Sequence, residues 1–217
     1  MNLVPAPSNR TIWFALFGVL ALRLIHLGAA VNGPLTWQLG PDELYYYEFG
    51  RDVAFGSGGF REIDGFMDPL YGYLVGAVLL LGKGLFPLYL LQAVADTATA
   101  YAIYRIGAAL DRPGVGFAAM LVYGFVGTAI AYTSAVLKTT WVAASVAWWI
   151  VLVLALIRSP TYWRWAAFGL FSGLTVALRA NLLLLIPLGF VVITLNQGFV
   201  RGRTSSRVRA LTAFSIG

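Results

Sequence analysis

The chain has 217 residues, of which 59% are apolar and 11% charged, and its mean hydropathy is +0.78. Soluble domains carry about 25% charged residues, so this composition argues against an ordinary soluble protein and makes lipid the natural solvent. The absence of Cys removes disulfide and thiolate chemistry, the single His removes a multi-histidine metal site, and the net charge of +6 reads as membrane topology rather than as a nucleic-acid surface.

In chain order, the apolar run over 11–31 has the length of one membrane span. A cleaved signal peptide is the competing reading, with Arg10 as its basic start and Gly28-Ala29-Ala30 as a weak cleavage site, but Arg23 and His26 interrupt that run. Residues 32–87 read as an acidic outer loop carrying two juxtamembrane helices, 41–55 and 69–82. Leu70–Leu81 is too short to span and is placed along the outer face. Spans follow over 88–110, 115–137 and 140–157. Trp165–Leu195 is too long for one span and carries Arg179-Ala180-Asn181 at its centre, which divides it into spans 165–178 and 182–195 with a polar tip. Residues 196–217 form a basic loop that turns apolar at Ala210, like the start of a further helix, so the chain reads as part of a longer protein. The expected fold is one all-α domain, a polytopic membrane bundle of about six spans.

Charge sets the orientation. With the first span running outward, the inner side holds Arg10, Arg105, Arg112, Arg158, Arg164 and four arginines between 201 and 209, nine of the fifteen Lys+Arg, against one acid, Asp111. The outer side holds seven of the nine acids. The positive-inside tendency therefore puts the amino terminus in the cytoplasm of a bacterial plasma membrane.

The residues able to carry chemistry concentrate in Pro41–Arg51, directly after the first span. Adjacent carboxylates at Asp42 and Glu43 can bind a divalent cation or act as a general base. On a helix, Asp42, Tyr45, Tyr46 and Phe49 share one face, expected to lie on the bilayer surface. The alternative is a solvated acidic loop with a tyrosine belt. Asp96, mid-span beside Gln92, Thr97 and Thr99, is read as part of a structural polar seam, and Arg23 and Arg51 as snorkelling or surface-paired.

Asp42-Glu43-x-x-Tyr46-x-x-x-Gly50 resembles the start of the first outer loop of GT-C fold glycosyltransferases, which use polyprenyl-phosphate sugars and include protein mannosyltransferases and aminoarabinose transferases. Asp68-Pro69-Leu70-Tyr71, Leu91-Gln92-Ala93, Tyr104-Arg105-Ile106-Gly107, Tyr132-Thr133-Ser134 and Gly173 to Asn181 continue the resemblance in order, over the first half of a usual member. The resemblance implies that Asp42 is the general base that deprotonates an acceptor hydroxyl. It makes Glu43 the neighbour that orients Asp42 or helps bind Mg or Mn, and the polyprenyl-phosphate sugar the partner. One position departs from the pattern: where the family carries a second carboxylate, this chain has Thr139, preceded by Lys138. That puts a shared metal site in doubt and offers Lys138 to a phosphate, unless it snorkels. Within the enzyme reading Arg179 contacts the carrier phosphate, Asn181 turns the chain and Tyr46 lines the site. The rival partner for Arg179 is Asp96. The runner-up function is a non-catalytic subunit of a larger membrane complex. A small transporter has little support, because no internal repeat is present.

Overall fold

The structure, a computed structural model, describes residues 5–31, 33, 38–56, 67–82 and 84–196. Every regular element among them is a helix: α1 (Asn9–Ala30), α2 (Pro41–Phe55), α3 (Pro69–Leu79), α4 (Phe86–Ala109), α5 (Pro113–Gly124), α6 (Gly127–Tyr132), α7 (Thr139–Arg158), α8 (Tyr162–Leu178) and α9 (Ala180–Asn196), which opens as 3-10 turns over Ala180–Leu184. Two of them, α1 and α7, are long and apolar enough to cross a membrane. The expected basic loop lies, from residue 197 on, outside the described residues.

Local signals explain the starts. Ser8 Oγ accepts the Thr11 amide at 3.2 Å and opens α1. Proline stands in the first turns of α2, α3, α4 and α5, where its missing N–H costs nothing. Glu43 Oε2 reaches back to the Gly40 amide at 2.8 Å, and the acidic first turn of α2 suits the positive end of the helix.

The expected helices 41–55 and 140–157 are matched to within a residue, but the expected span 115–137 is not one helix. It breaks after Gly124, restarts as α6, and runs without helix from Thr133 to Lys138. The cause of the first break is a close approach. A Cβ on Gly124 would lie 2.7 Å from Val19 Cγ2 of α1, and Arg23 Nη1 takes the freed Gly124 carbonyl at 2.7 Å. At the second break, Gln92 Nε2 takes the Thr133 and Ala135 carbonyls at 3.0 and 2.8 Å, so the unwound backbone stays satisfied. The α2 face also differs from expectation. Tyr46 and Gly50 are buried against α3, with Tyr46 edge-on to Tyr71 at 4.9 Å, so this face packs inward rather than on the bilayer surface. Asp42 stays exposed.

Arg23 is fully buried, which overturns the snorkelling expectation. Its Nε donates to Asp96 Oδ2 at 2.6 Å, while Tyr123 Oη donates to Asp96 Oδ1 at 2.5 Å. The seam around Asp96 thus joins α1, α4 and α5. Thr97 and Thr99 only return to carbonyls of their own helix.

The turn from α4 into α5 depends on small residues. A Cβ on Gly107 would meet Gly116 Cα at 2.3 Å, backbone against backbone. Gly107→Ala must therefore push the two helices apart, and it should destabilise the fold by about 1–3 kcal/mol, as overpacking does. Thermal unfolding in detergent measures this, and an unchanged midpoint would contradict the close crossing.

Candidate functional site

Four segments far apart in sequence meet at one end of the bundle: the start of α2, the residue before α3, the unwound stretch before α7, and the junction of α8 and α9. Glu43 makes the first link. Its Oε1 accepts the Val136 amide at 2.9 Å, tying α2 to the unwound stretch. Asp68 makes the second. One carboxylate oxygen accepts the Ala180 amide at 3.1 Å and the other pairs with Lys138 Nζ. Lys138 Nζ stands 5.8 Å from the Tyr46 ring centre, over its face. Tyr71 Oη donates to Gln92 Oε1 at 2.8 Å, which holds α3 to α4 under the same stretch.

The side chains of Lys138 and Asp68 are 21% and 23% exposed, so water reaches the pair. Burial pushes the Asp68 carboxyl up, but the Lys138 ammonium and the Ala180 amide outweigh it and hold it below the ordinary value. Burial likewise pulls the Lys138 ammonium down, and Asp68 and Tyr46 outweigh it and hold it above. Both groups are charged at neutral pH. The Tyr46 phenol is pushed up by burial, against the pull of Lys138, and Asp68 and Asp42 add to the rise. Among the described residues, Tyr46 Oη, Tyr89 Oη and Trp141 Nε1 here, and Arg23 Nη2 at the Asp96 seam, are buried without a hydrogen-bond partner. Native interiors rarely leave such donors unpaired.

Beneath this polar end lies an apolar cavity of about 680 Å³ between α3, α4, α7 and α8, walled by Leu70, Leu74, Trp141, Trp148, Phe171 and Leu178. Its walls include Leu70, two residues from Asp68, Trp141, three from Lys138, and Leu178, two from Ala180. A charged rim thus adjoins an apolar hollow. That combination suits an amphiphile with a polar head and an apolar tail.

The structure brings Glu43, Tyr46 and Lys138 together, with the exposed Asp42 one residue from Glu43 and one helical turn from Tyr46. Arg179 and Asn181 flank Ala180 at the rim, both exposed, and among the described residues the Arg179 side chain makes no ion pair. Asp96 is held by Arg23, so the pairing weighed for Arg179 does not form. Lys138 does not snorkel alone but pairs with Asp68. Asp68, expected only to open a helix, is the carboxylate that organises the rim. Glu43 spends both oxygens on amides rather than on orienting Asp42. A divalent cation, Mg or Mn, would find one free carboxylate here, Asp42, where oxygen-ligated cations take several protein or substrate ligands. Among the described residues no three His, Asp or Glu gather. No step below depends on a metal.

No family model, no curated protein and no solved structure matches this chain.

Proposed function

We propose that the chain is a membrane glycosyltransferase module of the GT-C kind, in which a sugar passes from a polyprenyl-phosphate carrier to an acceptor hydroxyl on the outer face. The observation that carries this reading is the charged rim of Lys138, Asp68 and the α8–α9 junction beside the apolar cavity of about 680 Å³. In the proposed step the Asp42 carboxylate takes the proton of the acceptor hydroxyl as its oxygen bonds to the anomeric carbon. The bond from that carbon to the carrier phosphate breaks on the opposite face. Polyprenyl phosphate leaves with the electron pair, and the configuration inverts. Arg179 and Lys138 face the charge that grows on the leaving phosphate, and Tyr46 lines the rim below Asp42. The test is release of polyprenyl phosphate by the purified protein in vesicles loaded with a polyprenyl-phosphate sugar. Release should require both an acceptor and Asp42, and release that ignores Asp42 would sink the reading.

A non-catalytic membrane subunit is the second reading. It is favoured by one specific observation: Lys138 is already neutralised by Asp68, and Glu43 is spent on amides. Asp42 separates the two readings: in a scaffold it serves only the positive end of α2, so its loss should leave any transfer activity of the assembly unchanged.

The proposed topology has the amino terminus inside and the start of α2 outside. Support comes from Arg105, Arg158 and Arg164 gathering at the end of the bundle opposite Asp42. Single cysteines at Ser57 and Ser205 report on it. In intact cells an impermeant thiol reagent should label Ser57→Cys and spare Ser205→Cys, and the reverse pattern would overturn the topology.

A further inference from the structure

The end of the bundle opposite Asp42 holds a second, smaller cavity of about 260 Å³, where Arg105 of α4, Arg158 of α7 and Arg164 of α8 meet. Given the membrane reading above, we propose that this pocket binds the phosphate headgroup of an anionic lipid in the inner leaflet.

Each guanidinium is oriented by the protein yet keeps donors to spare. Arg158 bonds through Nη2 alone, to the Ala109 carbonyl and to Asp111 Oδ1. Arg164 bonds through Nη1 alone, to the Ala155 and Ser159 carbonyls and the Ser159 hydroxyl. Arg105 makes only a 3.4 Å contact to Tyr101 Oη and lies over that ring. Carbonyls at the helix ends thus hold Arg158 and Arg164, and the Tyr101 ring holds Arg105, while the Nε groups and the remaining Nη groups have no partner among the described residues and are left for a ligand. Asp111 is the one acid paired at this pocket among the described residues, and its side chain is 91% exposed, so it cannot neutralise three cations. A phosphate matches the fork geometry of guanidinium and supplies the missing charge.

Two features favour a lipid over a free anion. Ala108, Val151 and Ala155 share the lining with the arginines, giving an apolar wall for the glycerol and upper chain of a lipid. At the start of α8, Tyr162 and Trp163 are each 78% exposed, the placement of aromatic side chains at headgroup level. A basic pocket between helices at that level on the inner side is the arrangement that holds anionic headgroups. None of these residues enters the proposed sugar transfer, so failure of that chemistry leaves this site standing.

The probe is phosphatidylglycerol added to the purified protein in neutral detergent, with phosphatidylcholine as control and inorganic phosphate as a separate arm. Native mass spectrometry reads retained lipid, and thermal unfolding reads the shift in midpoint. Phosphatidylglycerol should be retained and raise the midpoint, while phosphatidylcholine does neither. Arg105→Gln should weaken retention about tenfold or more, because charge-assisted bidentate contacts are strong. Its loss does not threaten the fold, since Arg105 is exposed and gives up only one long contact and its place over the Tyr101 ring. Arg164→Gln should act in the same direction. Arg10→Gln, which removes the same single charge at an exposed arginine that does not line the pocket, should leave retention intact. Equal retention of the two lipids, or equal loss in Arg10→Gln, would overturn the site. A midpoint shift reproduced by inorganic phosphate alone would overturn the lipid assignment.

Discussion

Arg23→Met should destabilise the protein by about 3–5 kcal/mol, the cost of leaving one member of a buried ion pair without the other. Arg23 Nε donates to Asp96 Oδ2 at 2.6 Å, and both side chains are 2% exposed or less. Removing the arginine strands the Asp96 carboxylate among apolar helices, where Tyr123 alone still donates to it. It also strips the Gly124 carbonyl of the Arg23 donor at the break between α5 and α6. Removing both charges is different. In Arg23→Met/Asp96→Leu no uncompensated charge remains, and apolar replacements of a buried pair are often close to neutral. Most of the single-variant loss should return in the double variant, measured by thermal unfolding in detergent. If single and double variants fall equally far, the pair is not what binds α1 to α4, and the Gly124 contact becomes the main role of Arg23.

This pair also shows where sequence reading reached its limit. Asp96 was legible as a costly acid inside an apolar run, because its energetics are local to one helix. Its partner lies 73 residues away, and within its own helix Arg23 reads as an arginine reaching for the surface. Periodicity fixes which face a residue occupies but not which helix packs against that face. The same limit applies to Asp68. Its position before Pro69 marks a helix start, yet its contacts with Lys138 and Ala180 cross 70 and 112 residues. The break at Gly124 was hidden for a related reason. An apolar run of membrane length reads as one span, and only the approach of Val19 and the donors Arg23 and Gln92 make an interrupted helix affordable. By contrast, the helix 41–55 was legible to the residue. Pro41, the acidic first turn and the reach-back of Glu43 all act within four positions. The charges of Lys138 and Arg179 were visible beside apolar runs, and Asp42 within an acidic stretch, which makes them candidates without joining them. What joins them, the Glu43 bond to Val136 and the Asp68 clamp, was not visible.

Asp42→Asn should lower sugar transfer by about 10²–10⁴-fold, the usual cost of losing a general base. The substitution is nearly isosteric and sits at an exposed position with no hydrogen bond among the described residues, so the fold should survive it. The helix start does not depend on it either, since Glu43 supplies the bond to Gly40 and Pro41 the first-turn geometry. Stability and carrier binding should both stay at wild-type level while turnover collapses. That split separates a base from a positioning residue. Glu43→Gln is the informative companion. Both Glu43 oxygens accept amide hydrogens, and a glutamine can keep only one of those bonds through its oxygen. It should therefore loosen the stretch from Thr133 to Lys138, lowering thermal stability and weakening carrier binding together. If Asp42→Asn transfers sugar at the wild-type rate from a well-folded protein, Asp42 is not the base. If Glu43→Gln instead abolishes turnover with stability intact, the roles of the two carboxylates are reversed. Should neither variant change a transfer activity that is itself present, the proton acceptor lies outside α2. In that case the rim formed by Asp68, Lys138 and Ala180 serves only to hold the bundle together.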